Sequence, residues 1–242
     1  MSPYPAIYVR LPVNQGVFRA RWQGLQHLTP SVDFCAFLDQ DDVWHPVFLQ
    51  RMGRLHAQDS ACGFAACNMR VVTGNASHPL HSSRHPSLTL TDLKVADQLV
   101  SPSQMLMRTA ALRAPGIPPD LPYPGADDWW LWLALLVAGY TATYTPAILA
   151  DYYDHAGGAH HDWQAMRASE EYVVSHWFSR WHFSRWDERL YAGRIGWDAL
   201  ATGVRRRQWS LVCQGLGWVL KDPRAVCVDG RFRRRHKRQG VV

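Results

Sequence analysis

A short apolar run that ends in three carboxylates constrains this 242-residue chain more than any other feature. Val32-Asp33-Phe34-Cys35-Ala36-Phe37-Leu38 has the length and aromatic content of a central strand in a covered sheet. Asp39, Asp41 and Asp42 follow at once, ahead of Trp44. Carboxylates this crowded repel one another. At about 4 Å each pair costs ~1 kcal/mol in water and ~4 kcal/mol at an effective dielectric of about 20. A hard divalent cation with oxygen ligands offsets that cost most simply. Ligands of open α/β sheets also bind beyond the carboxyl ends of the strands. The plainer alternative is an acidic loop in which Asp41 or Asp42 caps a following helix over 47–55.

Composition narrows the class. Hydrophobic residues at 47% and aromatics at 12% are enough for a core and exclude a disordered chain. The net charge of +6 is local. Arg231, Arg233, Arg234, Arg235, Lys237 and Arg238 crowd the C-terminus, and Arg205-Arg206-Arg207 form a second knot. That pattern implies an anionic membrane surface as partner. Nucleic acid is not expected, because the tail has no recognition module and no stacking platform. Cys35, Cys62, Cys67, Cys213 and Cys227 are scattered with no C-x-x-C pair, which reads as reduced thiols in a cytoplasmic protein. Residues 132–150 carry no charge, yet Gly139 and Pro146 interrupt them. A helix over 129–138 followed by a strand from Thr141 explains that stretch better than a membrane span.

Ile7-Tyr8-Val9 reads as a short strand, followed by an amphipathic helix through Val17, Phe18, Arg21, Trp22, Leu25 and Leu28. Further strands are expected over 62–72 and 104–107, with a helix over 47–57 between the acidic run and the first of these. Residues 75–87 read as a polar loop whose His78, His81 and His85 are solvated, and 115–124 as a proline-rich turn. Helices are expected from Trp163 onward, including 190–203 and 208–220. Strands alternating with helices predict an α/β fold with a mostly parallel sheet over residues 1–160, and a helical extension over 161–242.

Several motifs occur in order: Asn14-x-Gly16-x-x-x-Ala20-Arg21, Phe37-Leu38-Asp39-Gln40-Asp41-Asp42-x-Trp44, Ser101-Pro102-Ser103-Gln104, Asp127-Asp128-Trp129-x-Leu131-Trp132 and Tyr152-x-x-His155. Together they resemble the family 2 glycosyltransferases of GT-A fold, over residues 7–160. The resemblance implies an inverting transfer of a sugar from a nucleotide-sugar donor to a glycan or glycolipid acceptor, in surface polysaccharide synthesis. It implies Mn²⁺ or Mg²⁺ held by Asp41, which neutralises the departing diphosphate. Asp39, Arg21 and His155 would contact the donor. Asp127 and Asp128 would form the catalytic pair, with Asp128 as general base. Either carboxylate could instead be no more than the N-cap of the 129–138 helix. Gly157-Gly158 would suit a mobile loop over the donor.

Trp22 and Tyr153 depart from the family pattern. The family also opens with a strand–helix–strand unit whose acidic turn holds the base, and such units need about 30 residues. Only six residues precede Ile7 here. The reading therefore expects a core truncated at its N-terminus, an unpaired sheet edge at residues 7–9, and weak nucleotide binding. Its alternative is a truncated, catalytically weak member acting as an interaction module. The basic tail would hold the protein peripherally on the inner face of the membrane.

Overall fold

A computed structural model describes residues 6–82, 85–114, 125–155, 157–158 and 162–221. The Arg231–Arg238 cluster, Cys227 and the proline-rich turn at 115–124 lie outside them. The elements are α1 (Val17–Gln26), β1 (Phe34–Cys35), β2 (Val43–Trp44), α2 (Phe48–His56), β3 (Cys62–Thr73) and β4 (Ala76–Pro79). There follow α3 (Leu90–Leu93), a 3-10 turn (Pro102–Gln104), β5 (Met105–Arg108), α4 (Thr109–Leu112), α5 (Asp127–Val137), β6 (Thr141–Tyr153), α6 (Trp163–Trp177), α7 (Arg185–Arg206) and α8 (Trp209–Lys221).

The strands form one sheet in the order β1-β5-β3-β6-β2, with β4 folded back on β3 as a hairpin. β3 is its axis. Residues 62–69 are buried without a break, as a strand covered on both faces requires. Phe64 and Ala66 face one core with Trp130, Trp132 and Leu135 of α5. Ala65, Cys67 and Met69 face the other, with Phe48 and Met52 of α2. Val173 and Trp177 of α6, and Tyr191 and Ile195 of α7, belong to the first core, so the C-terminal helices share it with the sheet. Trp129 anchors this junction. Its ring stacks on Tyr191 at 5.7 Å, and its indole N–H donates to Leu93 O at 2.6 Å.

Four expectations are corrected. The sheet is mixed: β3 and β6 run parallel, whereas the β1–β5, β3–β5, β3–β4 and β2–β6 pairs are antiparallel. Strand–helix alternation does not distinguish a crossover from a return, and β5 returns beside β3 through the 3-10 turn. The acidic strand is not central. Its ladder shortens to Phe34–Cys35, at the sheet edge, and among the described residues its only strand partner is β5. Finally, residues 6–10 form no strand, and Ile7 and Tyr8 point to solvent. The edge expected there is absent; β1 and β2 end the path of strands instead. Part of the polar loop at 75–87 is also ladder, as β4.

The uncharged stretch divides as the glycine and proline indicate. Residues 129–135 are buried all round in α5, and Gly139 takes φ 89° between α5 and β6. The register of β6 against β3 jumps from Cys67↔Thr145 to Asn68↔Ile148, which places Pro146 and its missing N–H in a bulge. Among the described residues no helix is long and apolar enough to cross a membrane.

Candidate active site

Two acidic groups from distant parts of the chain meet across α1. The first is the turn that joins β1 to β2. Past Cys35 the chain runs on unladdered through Leu38, then closes on a hydrogen bond from Asp42 N to Asp39 O at 3.1 Å. The Ser101–Gln104 motif braces this turn from below. Asp39 N donates to Ser103 Oγ (2.9 Å), Trp44 Nε1 donates to Ser103 O (2.7 Å), and Ser101 Oγ lies 2.9 Å from Asp42 Oδ2 and 3.3 Å from Asp39 Oδ2. Ser101 and Gln104 hold each other in a capping box, and Gln104 Nε2 donates to Cys67 O of β3 at 2.8 Å. The motif is thus a rigid support tied to the sheet axis.

Within the turn the three carboxylates have different surroundings. Asp42 is buried, its Oδ1 has no hydrogen-bond partner, and burial raises its pKa against the pull of the two serines. Asp39 is half-buried. Asp41 is exposed, and its Oδ2 lies 2.8 Å from His155 Nε2, at the end of β6. The turn therefore presents one accessible carboxylate beside an imidazole, with the other two carboxylates held behind it.

The second group is Asp127-Asp128, in the first turn of α5. Neither caps the helix. Ala126 occupies the N-cap, and its N–H donates to Ser169 Oγ of α6 at 3.0 Å. Gly125, at φ 125°, lets this turn press against α6: a Cβ there would lie 2.5 Å from Met166 Sδ and 3.3 Å from its Cα. Asp127 is buried, Asp128 partly so, and Asp128 Oδ1 accepts from Trp129 N at 2.7 Å. Burial lifts the pKa of both carboxyls. For Asp128 the neighbouring Asp97 and Asp127 add to the rise, which is large; for Asp127 the guanidinium of Arg21 opposes it. Asp97 itself is pushed up to about 7 by burial, against its Leu99 N–H bond and Arg194.

Arg21 joins the two groups. Its Nη2 meets Asp39 Oδ1 at 2.5 Å and its Nη1 meets Asp127 Oδ2 at 2.9 Å. Burial works against its charge, but Asp127 and Asp39 outweigh it and hold the guanidinium protonated. Phe37 lies under the same guanidinium at 5.9 Å. The helical register of α1 does the positioning. Phe18 and Trp22 sit beside Arg21 and pack on the core that holds Trp130.

All six residues expected from the sequence are described, and they fall into two contact sets: Arg21, Asp39 and Asp127 in one, Asp41 and His155 in the other. Asp128 adjoins the first through the chain. His81 and His85 lie instead against Tyr144, and His81 Nε2 contacts Gln98 O; neither contacts a carboxylate of this turn in the described hydrogen bonds. Gly158 N donates to His155 O, so the glycine pair begins by turning the chain back at the histidine. Sequence reasoning gave no role to Ser101, Ser103, Trp44 or Asp97. The first two were visible as a motif; Asp97 had no signal.

A divalent cation fits this geometry. Among the described residues no three His, Cys, Asp or Glu side chains form a closed cage. Asp41 and His155 instead make an open pair at the surface of an acidic turn. Mg²⁺-like ions use such sites, taking one or two protein ligands and completing their shell with water and substrate phosphates.

Comparison with known proteins bears on the fold and on the first part of the chain. Residues 2–113 match the family model described as glycosyl transferase family 2. That segment contains Arg21, Asp39, Asp41 and the Ser101 motif; Asp127, Asp128 and His155 lie beyond it. No curated protein matches the chain. Among solved structures it is similar to S. aureus TarS 1-349 in complex with UDP-GlcNAc, with TM-score 0.50 and 15% identity over 93% of this chain and 74% of that one. A second structure of S. aureus TarS 1-349 gives TM-score 0.48 and 16% identity over 93% and 73%. At such identities the likeness speaks for the fold alone. Residues 2–113 thus match glycosyl transferase family 2, and the chain as a whole has a mixed α/β fold of the GT-A type.

Proposed function

We propose that this protein is an inverting glycosyltransferase that moves a sugar from a nucleotide-sugar to a hydroxyl of a glycan or glycolipid, in surface polysaccharide synthesis. The observation that carries the reading is the Arg21 bridge, which joins the strand-end turn to the helix-start pair. A binding module has no need of a second, buried carboxylate pair beside its ligand turn.

Each residue then has a distinct task. Asp41, with His155 beside it, would hold Mn²⁺ or Mg²⁺, which would supply charge neutralisation for the departing diphosphate. Asp39 contacts the donor's ribose or sugar, its position fixed by Ser101, Ser103 and Arg21. Asp128 takes the proton from the acceptor hydroxyl as that oxygen attacks the anomeric carbon from the face opposite the diphosphate. Its raised pKa suits a base, because a carboxylate of ordinary pKa is a weak proton acceptor near neutrality. The N-terminus of α5 stabilises the ionised form that must exist before attack. Asp127 holds Arg21 in place and so sets the spacing between donor turn and base.

The complex of the structural neighbour with UDP-GlcNAc supports a UDP-sugar as the first donor to test. The acceptor would lie at the cytoplasmic face of a membrane, where the Arg231–Arg238 cluster would keep the protein. Turnover of UDP-GlcNAc by the purified chain, measured with Mn²⁺, with Mg²⁺ and with EDTA, tests the reading. Metal-dependent release of UDP is expected. Absence of UDP release under all three conditions, in a chain that binds neither UDP nor UDP-GlcNAc, would overturn it.

A further inference from the structure

Helix α8 is apolar on two faces, and the described residues cover only one of them. The inner face is pressed into α7 and α6. A Cβ on Gly215 would lie 2.7 Å from Gly196 O, and one on Gly203 would lie 2.8 Å from Val212 N, so glycines on both helices set the close approach. Trp218 turns inward, under the Arg167 guanidinium at 4.6 Å. The outer face is the stripe Trp209, Cys213, Leu216 and Leu220, at the spacing of one side of a helix. All four are exposed, Trp209 at 76% and Leu220 at 75%. Val204, at the end of α7 beside the α7–α8 turn, adds a further apolar side chain at 67%.

Charge identifies what this face meets. From Ala199 to Lys221 the chain has no acidic residue and four basic ones: Arg205, Arg206 and Arg207 next to Trp209, and Lys221 after Leu220. Arg205 and Arg207 thus place cations at the Trp209 end of the apolar stripe. A tryptophan and leucines on one side, with arginines at the rim and no carboxylate within the helix, is the composition of a helix that lies in the headgroup region of an anionic bilayer. A protein partner or second copy that covered the stripe would have to supply carboxylates to these arginines, and α8 itself, from Trp209 to Lys221, has none to offer a copy of itself. We infer that the outer face of α8 is a membrane-docking surface, inserted shallowly and parallel to an anionic lipid leaflet. The inference rests on the peripheral location proposed above but assigns the contact to α8, separately from the basic tail.

The test uses the full 242-residue chain, with its tail, and vesicles of phosphatidylcholine alone or mixed with phosphatidylglycerol. Co-sedimentation is expected with the anionic vesicles, weakening as salt rises. The Trp209→Ser/Leu220→Ser variant changes only exposed side chains and should keep its helical circular dichroism, yet bind at least about tenfold more weakly. A nitroxide on Cys213, in a Cys227→Ser background, should become accessible to oxygen and shielded from a polar nickel reagent when vesicles are added. Equal binding by the variant and the parent, with Cys213 still in water, would overturn the inference while leaving a tail-driven peripheral location intact. No binding to any vesicle would overturn both. A concentration-dependent dimer that dissociates in the variant would assign the stripe to a second copy and also overturn it.

Discussion

The strand-end turn and the helix-start pair are both acidic, and the structure treats them in opposite ways. The turn spreads its three carboxylates over serine hydroxyls, an arginine and an imidazole, and leaves Asp41 exposed beside His155. The pair on α5 is drawn into the core by Gly125 and Ala126, and burial pushes both of its carboxyls towards their neutral forms. An accessible anion suits a cation and a diphosphate. A partly desolvated carboxyl with a raised pKa suits proton transfer. The difference teaches that the number of aspartates matters less than how each is solvated, and Arg21 fixes the distance between the two environments.

The sharpest way to break the contrast is to remove the base. Asp128→Asn should lower kcat by about 10²–10⁴ while donor affinity stays the same. In the parent protein the rate should climb with pH until Asp128 has lost its proton. Since its pKa is raised, that limb should lie above the ordinary carboxylate range. A pH–rate profile whose acid limb sits near pH 4, or a variant that loses affinity and keeps kcat, would assign Asp128 to binding.

Cutting the link comes next. Arg21→Gln leaves Asp127 buried without its cation, and breaking such a pair costs about 3 kcal/mol in denaturant unfolding. Because burial raises the folded pKa of Asp127, the uncompensated cost is full above that pKa and fades as pH falls towards the unfolded value. The variant should therefore recover stability in mild acid relative to the parent. A stability loss below about 1 kcal/mol would show that the bridge is only a surface pair.

A smaller effect sharpens the turn. Ser101→Ala removes the hydroxyl shared by Asp42 and Asp39 and leaves Asp42 with fewer partners, at a cost of about 1–2 kcal/mol. Ser101→Thr, which keeps the hydroxyl, should restore part of that loss. Equal unfolding midpoints for the parent and Ser101→Ala would mean that the turn does not depend on this brace.

Much of this was legible in the sequence because the informative residues sit in short ordered motifs. Asp39, Asp41, Arg21, Asp127, Asp128 and His155 were all named before any geometry, and β3, α2, α5 and the split of the uncharged stretch at Gly139 followed from pattern. What the pattern could not give was direction and neighbourhood. A run such as 32–38 has the same apolar signature at the centre of a sheet or, half-laddered, at its edge. Strand polarity leaves no mark on composition, so the antiparallel return of β5 was missed. Residues 7–9 were apolar enough for a strand, but a strand needs a partner, and none of the described strands pairs with them. Asp97 lies alone in sequence between unremarkable residues, and only the packing of α6 and α7 against its loop makes it a neighbour of Asp128.

The division of labour itself is tested most directly by calorimetric titration of UDP in the presence of Mn²⁺ into the parent, Asp41→Asn and Asp128→Asn. If the turn binds and the pair reacts, Asp128→Asn should match the parent within about twofold, and Asp41→Asn should weaken the metal-dependent affinity at least about tenfold. Equal losses in both variants, or an unchanged affinity in Asp41→Asn, would contradict the account.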